Sequence, residues 1–259
     1  RYITSPNMVL NDDANHSPGI ANAGPFLMMN PFSSRCCQHN HGQGWAYFTE
    51  NLFMATPDNG LAAVLYAAGS VTAKVSDGKE VTVTNDSNYP FTESLDFTVN
   101  TAEAVEFPLY FRIPAWAKNA SVALNGEALD TNPSANTYLR IEREWKDGDT
   151  ITLTLPKELG LRTWEANNNS VSLDYGPLTF SLKIEEEYPT KNSSQTAVWD
   201  SKWQKDADVE KWPSFEIHPA SPWNYGLILD KDHLEDSFSI ETKSWPEDDY
   251  PFTVDAAPI

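Results

Sequence analysis

Val71-Thr72-Ala73-Lys74-Val75-Ser76-Asp77-Gly78-Lys79-Glu80-Val81-Thr82-Val83-Thr84 alternates apolar and polar side chains on both sides of Asp77-Gly78. A period of two sends successive side chains to opposite faces of a pleated strand. Asp-Gly supplies the positive φ that a tight hairpin needs. The stretch therefore reads as two half-buried strands joined by a hairpin, and the same pattern extends outward from it. Upstream, residues 61–66 form an apolar run. Downstream, strands are expected at 95–99, 105–113, 121–124, 138–141 and 150–155, with further turns at Asn125-Gly126 and Asp147-Gly148. Many short strands with Gly-containing turns predict an antiparallel sandwich. A second β segment follows at 171–184, the boundary falling near 156–164. A polar, Trp-bearing stretch at 185–213 then reads as a long insertion, with one helical turn within 198–203.

One helix is expected before the strands, within residues 43–55. There Trp45, Phe48, Leu52 and Ala55 fall at i, i+3, i+7 and i+10, one helical face. Thr56-Pro57-Asp58-Asn59-Gly60 stops it, and Gly42-Gln43-Gly44 can delay its start by a turn. Ahead of residue 36 lies an irregular arm of Asn-, Gly- and Pro-rich loops, broken by the apolar Phe26-Leu27-Met28-Met29. The fold class that results is mainly β.

The length of 259 residues suits about two domains with sizeable cores. A net charge of -19 argues against nucleic acid and against anionic membranes as partners. No run of 18 apolar residues exists to span a bilayer. The composition favours a periplasmic or secreted setting over a cytoplasmic one.

The only two cysteines are adjacent, in Ser34-Arg35-Cys36-Cys37-Gln38-His39-Asn40-His41. Neighbouring cysteines rarely bridge each other because the ring is strained, and no third thiol exists as a partner. Two thiols followed by two imidazoles suit soft-metal ligation, a reactive thiolate, or both. Two buried small hydrophobes is the competing reading. The polar neighbours count against an inert core. The pair sits just before the helix or in its first turn, where free N–H groups and the macrodipole favour a thiolate.

Several segments together resemble glycoside hydrolase family 127, the β-L-arabinofuranosidase-type enzymes. They are Arg35-Cys36-Cys37-x-x-Asn40, Trp45-Ala46-Tyr47-Phe48, Met54-Ala55-Thr56, Phe111-Arg112-Ile113-Pro114-Ala115-Trp116-Ala117, Val122-x-Leu124-Asn125-Gly126 and Tyr175-Gly176-Pro177-Leu178. The resemblance implies an upstream (α/α)6 barrel of the same protein as a partner, closed by the short helix and followed by two β-sandwich-like domains. On that reading residues 1–56 are the C-terminal remnant of the barrel, 57–160 the first sandwich, and 161–259 a second β domain with an insertion near 185–213, truncated at its end. Only 35 residues precede Cys36, so the chain is expected to be an internal piece of a larger enzyme.

The same resemblance implies the chemistry. Cys36 would be the nucleophile of a retaining mechanism on a glycan, and Cys36 and Cys37 would both bind zinc. The remaining ligands and the acid/base glutamate would lie upstream, so zinc is expected in the parent and absent or incomplete here, and the isolated chain inactive. His39 and His41 depart from the family motif. Either can line the sugar site or stand in solvent, and six consecutive residues cannot easily surround a tetrahedral ion. The competing function is a non-catalytic carbohydrate-binding or structural module with structural cysteines.

Elsewhere, the acidic runs at 185–187, 206–210 and 247–249 read as solvated faces. Trp223 and Tyr225 can form a stacking platform for a sugar ring. Trp116, Trp145 and Trp164 read more readily as core.

Overall fold

The computed structural model describes residues 36–191, 214–215 and 218–243. The chain divides into two compact units, Arg1–Tyr47 with Leu182–Leu227 and Phe48–Ser181 with Ile228–Ile259.

The larger unit is built on two sheets. One has four strands in the order β1 (Phe53–Ala55), β2 (Leu61–Ala63), β6 (Val105–Ile113) and β9 (Thr137–Trp145). The other has six, in the order β3 (Gly69–Val75), β4 (Lys79–Asp86), β5 (Ser94–Thr101), β10 (Asp149–Thr154), β7 (Ser121–Leu124) and β8 (Glu127–Ala128). Pairing is antiparallel except between β2 and β6, which run parallel. Alternation works as the sequence demands. Val81, Val83, Leu95, Phe97, Val99, Ile151 and Leu153 of the six-stranded sheet are all buried. So are Val105, Phe107, Leu109, Phe111 and Ile113 along β6 of the other. Phe97 and Phe111, one from each sheet, meet edge to face at 4.9 Å between ring centroids, which locks the two layers together.

The turns follow from the residues that can adopt positive φ. Asn125 and Gly126, at φ 50 and 82, form the two-residue link between β7 and β8. In the hairpin that opens the sequence reading, Ser76 and Gly78 are left-handed at φ 48 and 91, and Val75 pairs with Lys79. That hairpin is thus a three-residue turn around Asp77. Gly60 is required for a different reason. A Cβ there would collide with the Pro108 carbonyl and lie 2.6 Å from Pro108 Cγ, so β2 can begin beside β6 only with glycine.

Past residue 158 a three-stranded antiparallel sheet runs β11 (Leu159–Trp164), β12 (Ser170–Tyr175), β13 (Leu178–Thr179). A 3-10 turn, Glu165–Asn167, links the first two. A short helix, α2 (Leu234–Ser237), lies against β11. In the smaller unit β14 (Glu186–Glu187) pairs with β17 (His218–Pro219), and β15 (Thr190–Lys191) with β16 (Ser214–Phe215).

The mainly-β expectation is borne out, with two α-helices among the described residues. Two boundaries move. Residues 159–164, read as a boundary, are the strand β11. The helix α1 spans Cys36–Glu50 instead of lying within 43–55. Gly42 and Gly44 do not delay it, and its end is set by the sheet. Asn51 N bonds to Phe48 O at 3.2 Å and Leu52 N to Thr49 O at 3.3 Å, tightening the last turn. Leu52 is then buried, its carbonyl accepting from Val64 N and Leu65 N. The apolar spacing at Leu52 therefore reflects packing against strands, and Ala55 belongs to strand β1, where it is exposed. Phe26-Leu27-Met28-Met29 and residues 198–203 lie outside the described residues.

Candidate functional site

Cys36 and Cys37 are the first two residues of α1, and His39, Asn40 and His41 follow in its first two turns. The helix places Cys36 with His39 and Asn40, and Cys37 with Asn40 and His41, at the i, i+3, i+4 register. For Cys36, Cys37, His39 and His41 the structure describes the backbone only. The first-turn N–H groups have no intrahelical carbonyl to bond, and the positive end of the dipole lies there. No acidic residue occupies that turn to oppose it.

As metal donors, the cysteines are two soft sulfurs, half of what a tetrahedral zinc needs. Among the described residues no three His, Cys, Asp or Glu side chains come together. His218 is half-buried in β17, and His233 sits ahead of α2 with its Nδ1 3.2 Å from Asp230 Oδ2. His16 lies outside the described residues.

One constellation that sequence reading missed lies on the outer face of the four-stranded sheet. Asp58 accepts from Thr56 Oγ1 at 2.5 Å and from Tyr110 OH at 2.7 Å. Arg140 Nε donates to Tyr110 OH at 2.8 Å, and its Nη1 to Glu142 Oε2 at 2.7 Å. Tyr110 and Arg140 are direct cross-strand partners of β6 and β9, which is a signal only once the register is known. The Thr56 hydroxyl first, then Tyr110, hold the Asp58 carboxyl below its usual pKa. Asp149 and Asp230 are also lowered, the first because hydrogen bonds and nearby cations outweigh its burial. Among the described carboxyls, each whose pKa departs from the ordinary value is lowered. A general acid at neutral pH needs the opposite shift.

The tryptophans separate cleanly. Trp145 is fully buried and Trp116 packs partly buried against the core. Trp164 is 48% exposed, against the core reading, and Trp223 and Tyr225 are exposed as well.

Residues 60–157 match the family model described as β-L-arabinofuranosidase, GH127 middle domain. Over these residues the chain is similar to a GH127 middle domain. It coincides with the two-sheet body from Gly60 to the end of β10, and it bears out the family resemblance carried by the sequence. Among solved structures the chain is similar to a GH127 β-L-arabinofuranosidase from Geobacillus stearothermophilus T6, at 24% identity and TM-score 0.51, covering 71% of this chain and 34% of that one. It is also similar to a protein described as a glycoside hydrolase, at 22% identity and TM-score 0.54, covering 79% and 40%. At these identities the likeness is one of fold. The chain thus spans well under half of those structures. Comparison with curated proteins gives no match. No helix among the described residues is long and apolar enough to cross a membrane.

Proposed function

We propose that this chain is the portion of a retaining glycoside hydrolase in which Cys36 is the nucleophile toward an arabinofuranoside or a related plant-type glycan. The observation that carries this reading is the placement of Cys36-Cys37 in the first turn of α1, directly ahead of a GH127 middle domain. Cys36 and Cys37 would be two of the zinc ligands, and zinc, when bound, holds a ligating sulfur as thiolate. Cys36 then attacks the anomeric carbon without a separate base, and the sugar–sulfur bond is later cleaved by water, so configuration is retained. The helix N-terminus supports the same charge state. His39 or His41, close behind the pair on the same helix, would donate a hydrogen bond to the sugar.

The departing oxygen needs a proton. The carboxyls of Asp58, Asp149 and Asp230 are shifted downward, the wrong direction for a general acid. In this proposal the acid and the other ligands belong to an upstream helical barrel of which residues 1–56 are the end. The parent would be periplasmic or secreted. A chromogenic β-L-arabinofuranoside tests it, assayed with this chain, with the chain extended upstream by the barrel, and with Cys36→Ser in the extended protein. Turnover is expected only in the extended protein and is abolished by Cys36→Ser. An active Cys36→Ser protein overturns the thiolate mechanism; turnover by this chain alone places an acid within it.

A further inference from the structure

The β11–β13 sheet divides its side chains by chemistry. Leu159, Leu161, Val171, Leu173, Tyr175 and Leu178 share one face by register. Arg162, Trp164, Ser170, Ser172, Asp174 and Thr179 share the other. Trp164 is the one large apolar residue on that polar face, and at 48% it is left open to solvent. An exposed indole that breaks binary patterning, uncovered among the described residues, points to function.

Its surroundings are fixed. The Arg162 guanidinium lies 5.1 Å from the Trp164 ring centroid. Two of its nitrogens, Nε at 2.9 Å and Nη2 at 2.7 Å, donate to Asp174 Oδ2. Thr179 Oγ1 donates to Asp174 Oδ1 at 2.7 Å, completing that carboxylate. Trp164 Nε1 donates to Ser172 Oγ at 3.1 Å, which holds the ring in its plane. Arg162 Nη1 and the Ser172 hydroxyl hydrogen keep no protein partner among the described residues. The face thus offers one immobilised aromatic plane beside two donors already oriented.

We infer that Trp164, Arg162 and Ser172 form a binding platform for a neutral saccharide chain, separate from the chemistry proposed at Cys36. Sugar C–H groups carry slight positive charge and one ring face is nearly apolar, so the ring stacks on the negative face of an indole. Its hydroxyls accept from Arg162 Nη1 and Ser172. The occupant is neutral because Arg162 is already paired with Asp174, and the chain carries a net charge of -19, which repels uronates and sulfated glycans. Ordering costs little here, since the three side chains hold one another before the ligand arrives.

The test is binding, not turnover. Arabino-, xylo- and cello-oligosaccharides are titrated against this chain by calorimetry, with Trp164→Ala, Trp164→Phe and Ser172→Ala, at low and at high NaCl. At least one neutral oligosaccharide is expected to bind. Trp164→Ala weakens it at least tenfold, Trp164→Phe and Ser172→Ala by less, with melting temperatures near that of the parent chain and no effect of salt. Binding that survives Trp164→Ala, binding only of acidic glycans that salt abolishes, or no binding across the panel each overturns the platform. Trp164→Phe keeps the test meaningful if the alanine variant unfolds. The Cys36→Ser chain is expected to bind unchanged, so a failed thiolate mechanism leaves this inference standing, and the reverse.

Discussion

Arg143-Glu144-Trp145 and Arg162-Thr163-Trp164 are the same local phrase at the ends of two strands, β9 and β11. In both, the guanidinium stands over the indole, at 5.5 and 5.1 Å. In both, the indole N–H donates, to Phe107 O at 2.9 Å and to Ser172 Oγ at 3.1 Å. In both, an aspartate pairs with the arginine, Asp149 and Asp174. Yet Trp145 is 0% exposed and Trp164 is 48% exposed. The strands do not differ in their grammar; the layers above them do. β9 lies in a sheet whose inner face meets a second sheet, whereas among the described residues no sheet covers the polar face of β11. A local motif sets which groups touch, and only the tertiary layer decides whether the contact becomes core or surface.

The most severe way to break this contrast is Trp145→Ala. Removing a fully buried indole should cost about 3–5 kcal/mol, read by denaturant unfolding of the larger unit. A loss below about 1 kcal/mol would mean the ring is not in a packed core. The second prediction concerns the two aspartates. Burial pushes the Asp149 carboxyl up, but the Lys146 backbone N–H, the Asn125 amide, and Arg143 and Lys146 together hold it below its ordinary value of 3.8. A carboxyl lowered on folding adds stability above its unfolded pKa and loses it as pH falls through the folded one. Asp149→Asn should therefore cost about 1–3 kcal/mol at pH 7, the gap to the parent chain narrowing below pH ~4. A gap that stays constant to pH 2 would show that the charge contributes nothing.

Trp164→Ala sharpens the comparison from the other side. It removes a half-open ring and an exposed stacking pair, so the expected loss is about 1 kcal/mol or less. A loss matching that of Trp145→Ala would merge the two regions into one core. Smallest of all is Lys118→Ala, which deletes an exposed pair with Glu158 at 3.2 Å. Its effect should stay within about 0.5 kcal/mol, measured as a shift in melting temperature.

Much of the larger unit was legible because the long strands of its two main sheets, such as β4, β5, β6 and β10, bury one face and alternation records it. β6 and β7 fall on the residues expected, and Asn125-Gly126 makes its turn with both φ values positive. The helix was misplaced for a physical reason. Leu52 and Ala55 kept an apolar spacing that suits a helix, but Leu52 is buried against the sheet and its carbonyl is taken by Val64 and Leu65. Strand β11 went unseen because its Leu-Gly-Leu-Arg-Thr-Trp lacks the β-branched density of a central strand. Asp58, Tyr110 and Arg140 lie 52 and 30 residues apart along the chain, so no window shows them together. At the candidate site the sequence gives the reactive residue types, Cys36 and Cys37, and the helix gives their backbone position. The burial of Asn85, 2% exposed with its amide on Ala67 O, also removes Asn85-Asp86-Ser87 as a usable glycosylation sequon in the folded state.

The order of strands carries a consequence for how the chain is made. β10 is inserted between β5 and β7, and β9 forms the edge beside β6, so each sheet waits for a strand from residues 137–154. Until these leave the ribosome, β5 and β6 hold open edges, and the parallel pairing of β2 with β6 closes a loop of more than forty residues. Contacts so distant in sequence slow the search for the native state. The two-sheet body should therefore acquire its structure late and in one step, with its nascent strands most exposed to intermolecular pairing just before β9 and β10 appear.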